Sequence, residues 1–175
     1  MNTDIKKYIR TVKDFPKPGI MFRDITTLLK EPAGLKASFD ALIKFTKGLK
    51  IDKVVGIESR GFMLGAMIAK NLSAGFVPIR KPGKLPAETV KEVYSLEYGT
   101  DAIEIHRDAI NKGDLVLLHD DLLATGGTAR AAINLIEKLG GKVVQVSFII
   151  ELGFLNGREK LKGYDVRSLV NYESE

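Results

Sequence analysis

Short apolar runs alternate with helical stretches along the chain, and this alternation constrains the fold more than any other feature. The runs have strand character and occupy residues 53–57, 75–79, 115–118 and 143–150. Between them, apolar residues recur with helical spacing at 62–72 and 129–139. Strands that alternate with helices are typical of a parallel sheet that is buried on both faces. We therefore predict an α/β fold with a mostly parallel central sheet flanked by helices.

Helical spacing predicts two further helices, one near the N-terminus and one that Pro32 opens. The first is marked by Ile5, Tyr8, Ile9 and Val12 after a Thr3 or Asp4 cap, and the second by Leu35, Phe39, Leu42, Ile43 and Thr46. Residues 91–107 instead place apolar residues among polar neighbours, which predicts two antiparallel strands joined around 97–100. We expect this hairpin to lie over an active site.

Composition excludes several classes of protein. The 175 residues suit one domain, and with 45% hydrophobic and 28% charged residues the chain is globular. No apolar run approaches the roughly 18 residues that span a bilayer, and the N-terminus lacks the pattern of a signal peptide. We therefore expect a cytoplasmic protein that does not bind membranes.

The cysteine and histidine counts limit the chemistry further. Without cysteine the chain can form no disulfide, thiolate nucleophile or zinc–thiolate site, and its two histidines leave little for a metal cage made by protein alone. We expect any metal to arrive with the substrate.

The chain is basic, with a net charge of +5 and a pI near 9.3. Most basic residues are spread along the sequence, but Arg80, Lys81 and Lys84 gather in IRKPGKLP and form a cationic loop. Such a balance raises the question of a polyanionic partner. Taken by itself, the loop is better explained as a solvated surface turn, because runs of charge usually face solvent.

A junction of unusual composition follows the third apolar run, in LVLLHDDLLATGGTARAAINLI. Asp120 and Asp121 come first, and the loop Ala124-Thr125-Gly126-Gly127-Thr128 then leads into a predicted helix. Glycines let the backbone approach an anion, threonines add hydroxyl donors, and a helix N-terminus directs free N–H groups at it. The loop is a candidate phosphate site. The acids would repel phosphate but suit ribose hydroxyls or positive charge that develops during a reaction.

An ordinary βα turn with a Thr N-cap is the alternative interpretation of this junction. Two adjacent carboxylates at the end of a buried strand argue against it, because their burial is costly unless something satisfies them. Other phosphate-binding loops fit poorly. Gly56-x4-Gly61 is followed by Phe62 and Met63 instead of the Lys-Ser/Thr of a P-loop, and no Gly-x-Gly-x-x-Gly follows a predicted strand.

The stretch VLLHDDLLATGGT resembles the phosphoribosyl diphosphate signature of type I phosphoribosyltransferases. Three further segments resemble the adenine phosphoribosyltransferases of that family, and a fourth, ELGFLNGREKL at 151–161, is a weaker match. The three are FPKPGIMFRDIT at 15–26, GIESRGF at 56–62 and VYSLEYGTDAIEIHRDAI at 93–110. The chain departs from the pattern at His119, where the family usually has an apolar residue. We expect His119 to be a core residue at the strand end with one satisfied ring nitrogen, although a catalytic role is the alternative.

The resemblance implies a type I phosphoribosyltransferase fold in a single domain, residues 1–175. It also implies an N-terminal hood that binds adenine, residues 1–35, and a flexible loop and hairpin over the site, residues 80–107. Members of the family form dimers, so we expect a homodimer in which Arg80 and Tyr98 contact the partner subunit.

The implied reaction is Mg²⁺-dependent transfer of the phosphoribosyl group from phosphoribosyl diphosphate to N9 of adenine. It gives AMP and diphosphate and serves purine salvage, and the Mg²⁺ would be carried by the substrate. The residues implied to hold the 5-phosphate are Ala124, Thr125, Gly126, Gly127 and Thr128. Asp120 and Asp121 would bind the ribose hydroxyls and stabilise positive charge in an oxocarbenium-like transition state.

The diphosphate is assigned to GIESRGF and to the cationic loop. An arginine at a helix start suits a diphosphate, and the resemblance implies that Ser59 and Arg60 bind it in a loop with a cis Glu58–Ser59 peptide bond. It also implies that Lys81 and Lys84 neutralise the leaving group. A surface salt bridge is the alternative interpretation of Arg60.

Adenine is assigned to Met21, Phe22 and Arg23. A purine can stack on the Phe22 ring while one backbone C=O and one N–H read its amine edge, so no polar side chain is required. Without the resemblance, Phe22 would be interpreted as a core aromatic. Glu97 is expected near the base, and whether it transfers a proton or only positions the purine stays open.

Two other functions remain as alternatives. One is transfer to hypoxanthine, guanine or xanthine, whose 6-oxo group needs a donor where adenine needs an acceptor. The other is a regulator that keeps the fold and binds nucleic acid, which the basic pI permits. The chain offers no additional DNA-binding segment, and a pure regulator would not need Glu97 and Tyr98, so we expect no nucleic-acid partner.

Overall fold

The computed structural model describes residues 4–95 and 99–174. Within these residues the chain forms nine strands and four α-helices. The strands are β1 (Arg10–Lys13), β2 (Met21–Asp24), β3 (Lys53–Ile57), β4 (Gly75–Ile79), β5 (Thr89–Ser95), β6 (Thr100–His106), β7 (Leu115–Leu123), β8 (Lys142–Leu152) and β9 (Val166–Tyr172). The helices are α1 (Thr26–Lys30), α2 (Pro32–Phe45), α3 (Gly61–Leu72) and α4 (Gly127–Lys138), and 3-10 turns lie at Ile5–Tyr8, Gly153–Leu155 and Gly157–Leu161.

The central sheet is parallel and has the strand order β4-β3-β7-β8-β9. This confirms the predicted α/β fold class. From β3 the chain passes through α3 to β4 on one side, whereas β7, β8 and β9 extend the sheet on the other. The order therefore reverses between β3 and β7, and ligands of open α/β sheets bind at such a reversal, outside the carboxyl ends of the strands.

Apolar side chains pack on both faces of this sheet. On one face, Leu64 and Ile68 of α3 pack with Leu42 of α2 in one core cluster. On the other, α4 supplies residues such as Ile133 and Ile136, together with the inner side chains of β5 and β6. The antiparallel β5–β6 pair confirms the predicted hairpin, although the residues that join its strands lie outside the described part of the chain.

Helix boundaries follow local chemistry. Pro32 occupies the first turn of α2, where its missing N–H costs nothing, and Ser73 ends α3 in the left-handed conformation. Gly126 precedes α4 with a φ of 77°, a conformation that glycine adopts without steric cost. Neither α3 nor α4 has a side chain that caps its first turn by a hydrogen bond. The first N–H groups of α4 are therefore available to a ligand, whereas in α3 the Phe62 N–H donates to the Ser59 carbonyl at 3.2 Å.

The predicted N-terminal helix is wrong beyond its first turn. Asp4 caps a 3-10 turn at Ile5–Tyr8, its carboxylate accepting from the Lys6 N–H at 3.2 Å, but Arg10–Lys13 then forms β1. This strand pairs antiparallel with β2, with Val12 opposite Phe22. A helix of about eight residues is marginal by itself. Arg10–Lys13 therefore gains more stable backbone hydrogen bonds by pairing with β2 than by continuing a short helix.

Two other strands differ from the sequence prediction. β7 continues through Leu123, so Asp120 and Asp121 belong to the strand instead of following it. Pairing with β8, which extends to Leu152, keeps the backbone of these acids in the ladder. β9 lies outside the four predicted runs and pairs parallel with β8 at the sheet edge.

No helix in residues 4–95 and 99–174 combines the length and apolar character needed to cross a membrane. The division into a hood, 1–35, and a covering segment, 80–107, stays a prediction.

His119 is a core residue, as predicted. It is fully buried in β7, and its Nδ1 lies 3.0 Å from the Ser147 hydroxyl of β8, while Nε2 has no hydrogen-bond partner. Burial lowers the pKa of His119 to about 4 from an ordinary value of 6.5. The ring is therefore neutral at physiological pH.

Because the pKa of His119 is lowered in the folded protein, His119 should destabilise the fold as the pH falls. The His119→Asn variant should lack this contribution to the pH dependence of stability. Between pH 6.5 and about 4, the unfolded chain binds a proton at His119 that the native chain does not. The free energy of unfolding should therefore fall as the pH falls through this window, by about 2 kcal/mol from this group at pH 5. Urea unfolding of both proteins at pH 7 and pH 5 measures the difference, and equal pH dependence would contradict the assignment.

Candidate active site

A cavity of about 450 Å³ lies at the carboxyl ends of β3 and β7, where the strand order reverses. The ends of these two strands, the loops that follow them and the first turn of α4 form most of its lining. The predicted site residues in the lining are Ser59, Arg60, Lys81, Asp120, Asp121, Ala124, Thr125, Gly126, Gly127 and Thr128. The fold thus brings together the acids, the glycine-rich loop and part of the cationic segment.

The glycine-rich loop forms one wall of the cavity. It runs from the end of β7 into the uncapped first turn of α4, so its N–H groups and the positive end of the helix dipole face the same region. The Thr128 hydroxyl donates to the Tyr94 hydroxyl at 3.1 Å. This wall has the features of an anion site.

The acid pair lies between this loop and the loop that follows β3. Asp121 is buried, with 4% of its surface exposed, and its Oδ2 lies 2.6 Å from Nε of Arg60. Asp120 accepts the Asp121 N–H at 2.9 Å. Burial raises the pKa of both carboxyls, and the neighbouring Asp121 raises that of Asp120 further, while the Arg60 guanidinium opposes the shift. Arg60 therefore links the loop after β3 to the end of β7 through its ion pair with Asp121.

The peptide bond between Glu58 and Ser59 is cis, as the resemblance implies. Glu58 binds the cationic segment: its carboxylate accepts from Arg80 Nε and Nη2, both at 3.1 Å, and from the Lys81 N–H at 2.9 Å. The Arg80 hydrogen bonds are the main reason that the pKa of Glu58 is lowered. Arg80 is therefore bound within its own chain, and its contact with a partner subunit stays a prediction.

Lys81 and Lys84 occupy different environments. Lys81 lines the cavity, and its ammonium pairs with Asp101. Burial opposes the charge, but the contact with Asp101 raises the pKa of Lys81. Lys84 is exposed, and its carbonyl accepts from Arg80 Nη1 at 3.1 Å. The structure thus places Lys81, and not Lys84, in the described lining.

Tyr94 and Asp101 line the cavity but were not among the predicted site residues. Tyr94 donates to Asp101 at 3.2 Å, and both come from the β5–β6 hairpin, at opposite positions of its ladder. The alternation of polar and apolar residues along each strand shows only which face of the hairpin Tyr94 and Asp101 share. The pairing of the two strands would have revealed them, because it sets Tyr94 opposite Asp101. A polar pair on the inner face of a hairpin needs a polar partner, which points to a site beneath it.

The predicted adenine residues lie beside this lining, in β2. Phe22 faces the site, with its ring centroid 5.1 Å from the Arg60 guanidinium. Arg23 faces the other way: its Nη1 donates to the Thr11 hydroxyl at 2.5 Å, and its guanidinium stacks on Tyr172 at 4.1 Å. Met21 is on the same side of the strand as Arg23, since alternate residues share a face. Glu97 and Tyr98 lie outside the described residues.

Comparison with known proteins identifies the family. The family model for the phosphoribosyl transferase domain matches residues 24–171. A relative from Gloeobacter violaceus, an adenine phosphoribosyltransferase, is 61% identical over 97% of this chain and 99% of its own. The chain belongs to the phosphoribosyltransferase family. It is therefore a transferase, as predicted.

Solved structures of phosphoribosyltransferases agree with the fold. The adenine phosphoribosyltransferase of Thermoanaerobacter pseudethanolicus has a TM-score of 0.95 and 51% identity, with coverage of 98% of this chain and 100% of that one. The enzyme of Trypanosoma brucei, solved with AMP, pyrophosphate and ribose-5-phosphate, has a TM-score of 0.88 and 28% identity, with coverage of 97% and 79%. These likenesses confirm the type I phosphoribosyltransferase fold.

The described part of the chain has no group of three or more His, Cys, Asp or Glu side chains that could hold a metal ion.

We expect Arg60→Gln to move the titration midpoint of the Asp121 carboxyl to higher pH. The guanidinium opposes the effect of burial on this group, so its loss leaves burial uncompensated. Carbon-13 NMR of the labelled carboxyls gives the midpoint. Arg80→Gln is the matched control, because it should raise the midpoint of Glu58 and leave that of Asp121 in place. An unchanged Asp121 midpoint in Arg60→Gln would show that the ion pair does not form in solution.

Proposed function

We propose that the chain is an adenine phosphoribosyltransferase that converts adenine and phosphoribosyl diphosphate to AMP and diphosphate. The observation that carries this proposal is the cavity between β3 and β7, where an uncapped glycine-rich helix start lies beside two adjacent carboxyls, the half-buried Asp120 and the buried Asp121. A phosphate next to a ribose suits both features. The relatives named adenine phosphoribosyltransferase, and the products and substrate fragment bound by the trypanosomal enzyme, support the same assignment.

The 5-phosphate is placed at Ala124–Thr128. Backbone N–H groups at the α4 start and the hydroxyls of Thr125 and Thr128 supply donors, and the helix dipole favours the negative charge. The Thr128 hydroxyl donates to Tyr94 in the structure and would donate to the phosphate when phosphate is bound. This end anchors the sugar.

Asp120 and Asp121 are placed under the ribose. In the reaction, the bond between C1 and the diphosphate oxygen breaks, the bond from N9 of adenine to C1 forms, and N9 loses its proton. Positive charge grows on the sugar as the leaving group departs, and carboxylates held beneath the sugar stabilise it. Arg60 keeps negative charge on Asp121 by opposing the rise of its pKa.

Ser59, Arg60 and Lys81 are placed around the diphosphate, with Lys84 as a more distant cation. Mg²⁺ binds through one or two carboxylates and substrate phosphates, and the two acids of the cavity fit a metal that enters with the substrate. When bound, Mg²⁺ would neutralise charge on the leaving group. The protein adds the guanidinium of Arg60 and the ammonium of Lys81.

Adenine is placed against β2. This strand pairs with β1 along one edge, so alternate residues direct their N–H and C=O groups away from the ladder. Phe22 offers a stacking face beside Arg60, while the Arg23 side chain is held by Thr11 and Tyr172 and does not face the base. This arrangement supports backbone reading of the purine edge. Glu97 is retained as the acid, base or positioning group near the purine.

Incubation of the protein with phosphoribosyl diphosphate, Mg²⁺ and one purine at a time tests the function. We expect nucleotide and diphosphate with adenine and little with hypoxanthine, guanine or xanthine. Preferred use of a 6-oxo purine would support the alternative enzyme. Absence of product with every base would contradict transferase activity.

Asp120→Asn should lower kcat more than it raises the KM for phosphoribosyl diphosphate. The carboxylate acts on charge that grows in the transition state, and loss of such a group lowers kcat by about 10²–10³-fold. Asp108→Asn, at an exposed position on the same chain, is the matched control and should leave both constants unchanged. Steady-state kinetics decides, and a raised KM with an unchanged kcat would refute the charge-stabilising role.

Met21→Ala should preserve the preference for adenine over hypoxanthine, whereas Phe22→Ala should lower kcat/KM for both bases. Backbone reading survives truncation of Met21, but loss of the stacking ring removes about 1–3 kcal/mol from any purine. A 6-oxo base would leave a buried acceptor without a partner, so the preference for adenine should be large. If Met21→Ala abolishes the preference in a folded protein, side chains read the base.

A further inference from the structure

The segment after β8 lies directly against the loop that follows β7. Gly157 is buried there, and a Cβ atom built on it would lie 2.2 Å from the Ala124 carbonyl oxygen and 3.1 Å from the Gly126 nitrogen. A Cβ atom on Gly126 would in turn lie 2.4 Å from the Gly157 carbonyl oxygen. Real Cβ atoms essentially never approach another atom within 3.0 Å. The two backbones therefore meet at a distance that only glycine allows.

The need for glycine at position 157 comes from this contact. Gly126 has a φ of 77°, so a side chain there would be strained in any surroundings. The φ of Gly157 lies outside the left-handed region. Alanine at 157 would keep an allowed backbone conformation, and its cost would come from the clash with the loop.

The Gly157 segment cannot move away from the loop easily. Arg158 donates to both oxygens of the buried Glu151 at 2.6 and 2.7 Å, and to the Val166 carbonyl at 2.9 Å. Leu161, at the end of the same 3-10 turn, is buried in the core cluster that contains α4. A methyl group at 157 would therefore displace Ala124–Gly126 instead.

The contact also fixes the direction of a donor. The oxygen is the nearest Ala124 atom to the Gly157 Cβ position, so the Ala124 carbonyl points at Gly157. The Ala124–Thr125 peptide is trans, and in a trans peptide the N–H of the next residue points opposite to the carbonyl. The Thr125 N–H therefore points away from Gly157, and Thr125 lines the cavity.

We propose that Gly157 is a positioning residue for phosphate binding, which holds the Ala124–Gly126 backbone so that the Thr125 N–H faces the cavity. The proposal rests on the proposed function, because the phosphate is that of the phosphoribosyl group. Gly157 itself does not touch the ligand. A glycine that served packing alone would affect stability and leave the recognition of phosphate unchanged.

The test compares the affinities of AMP and adenosine, which differ only in the 5-phosphate, by calorimetry. The ratio of the two affinities should fall tenfold or more in Gly157→Ala relative to the unmodified protein, while the affinity for adenosine stays within about twofold. Gly153→Ala is the matched control from the same segment, since the atoms nearest to its Cβ are side-chain atoms of Asn171 and Glu173. The control should keep the original ratio.

An unchanged ratio in Gly157→Ala, or equal weakening of AMP and adenosine, overturns the proposal. If Gly157→Ala does not fold by circular dichroism, Arg158→Lys decides. It keeps a cation beside Glu151 but loses the two-pronged contact that anchors the segment. A selective loss of AMP affinity of at least twofold then supports the proposal, and any other result overturns it.

The unmodified protein separates this proposal from the proposed function. If it binds AMP no better than adenosine, the phosphate assignment itself fails, and the Gly157 proposal falls with it. If it prefers AMP and Gly157→Ala retains that preference, only the role of Gly157 is refuted.

Discussion

The rest of the site depends on two adjacent carboxyl groups, Asp120 and Asp121, near the carboxyl end of β7. Asp121 is buried and pairs with Arg60, and burial raises the pKa of both acids. An ion pair in such a place rarely adds stability, because the desolvation of its charges offsets their attraction. The pair makes sense as part of a site that must hold negative charge beneath a ligand. It is possible only because the loop after β3, which carries Arg60, lies beside the carboxyl end of β7 at the point where the strand order reverses.

The same geometry explains the distribution of charge around the cavity. Lys81 pairs with Asp101, Arg60 with Asp121, and the adjacent Arg80 with Glu58. Each of these three cations is already next to a carboxylate. The affinity for an anionic ligand is therefore a difference between the new contacts and the ion pairs that they replace. Since the pairs hold the cations in place beforehand, less conformational entropy is lost when a ligand binds.

The sequence was sufficient for the parts of the fold that depend on local pattern. The apolar runs predicted four of the five central strands, and the acids with the glycine-rich loop predicted the walls of the cavity. The N-terminal helix failed because Arg10–Lys13 forms a ladder with β2, a long-range pairing that helical spacing cannot reveal. Tyr94 and Asp101 were missed for a related reason: their place in the cavity depends on how the hairpin packs on α4. Lys84 was grouped with Lys81 by proximity in the sequence, yet only Lys81 lies in the described lining.

Glycines show most clearly what a sequence pattern leaves open. In the sequence, Gly126 suggests a close approach to an anion, whereas Gly61 and Gly157 have no assigned role. In the structure, a Cβ atom on Gly61 would lie 2.8 Å from the His119 carbonyl oxygen and 3.0 Å from the Asp120 carboxylate, and Gly126 and Gly157 exclude side chains from each other's backbone. The start of α3 is thus packed against the acid pair, and the segment after β8 against the glycine-rich loop. These contacts set the positions of the walls through backbone atoms, so the side chains that line the cavity remain free to meet a ligand.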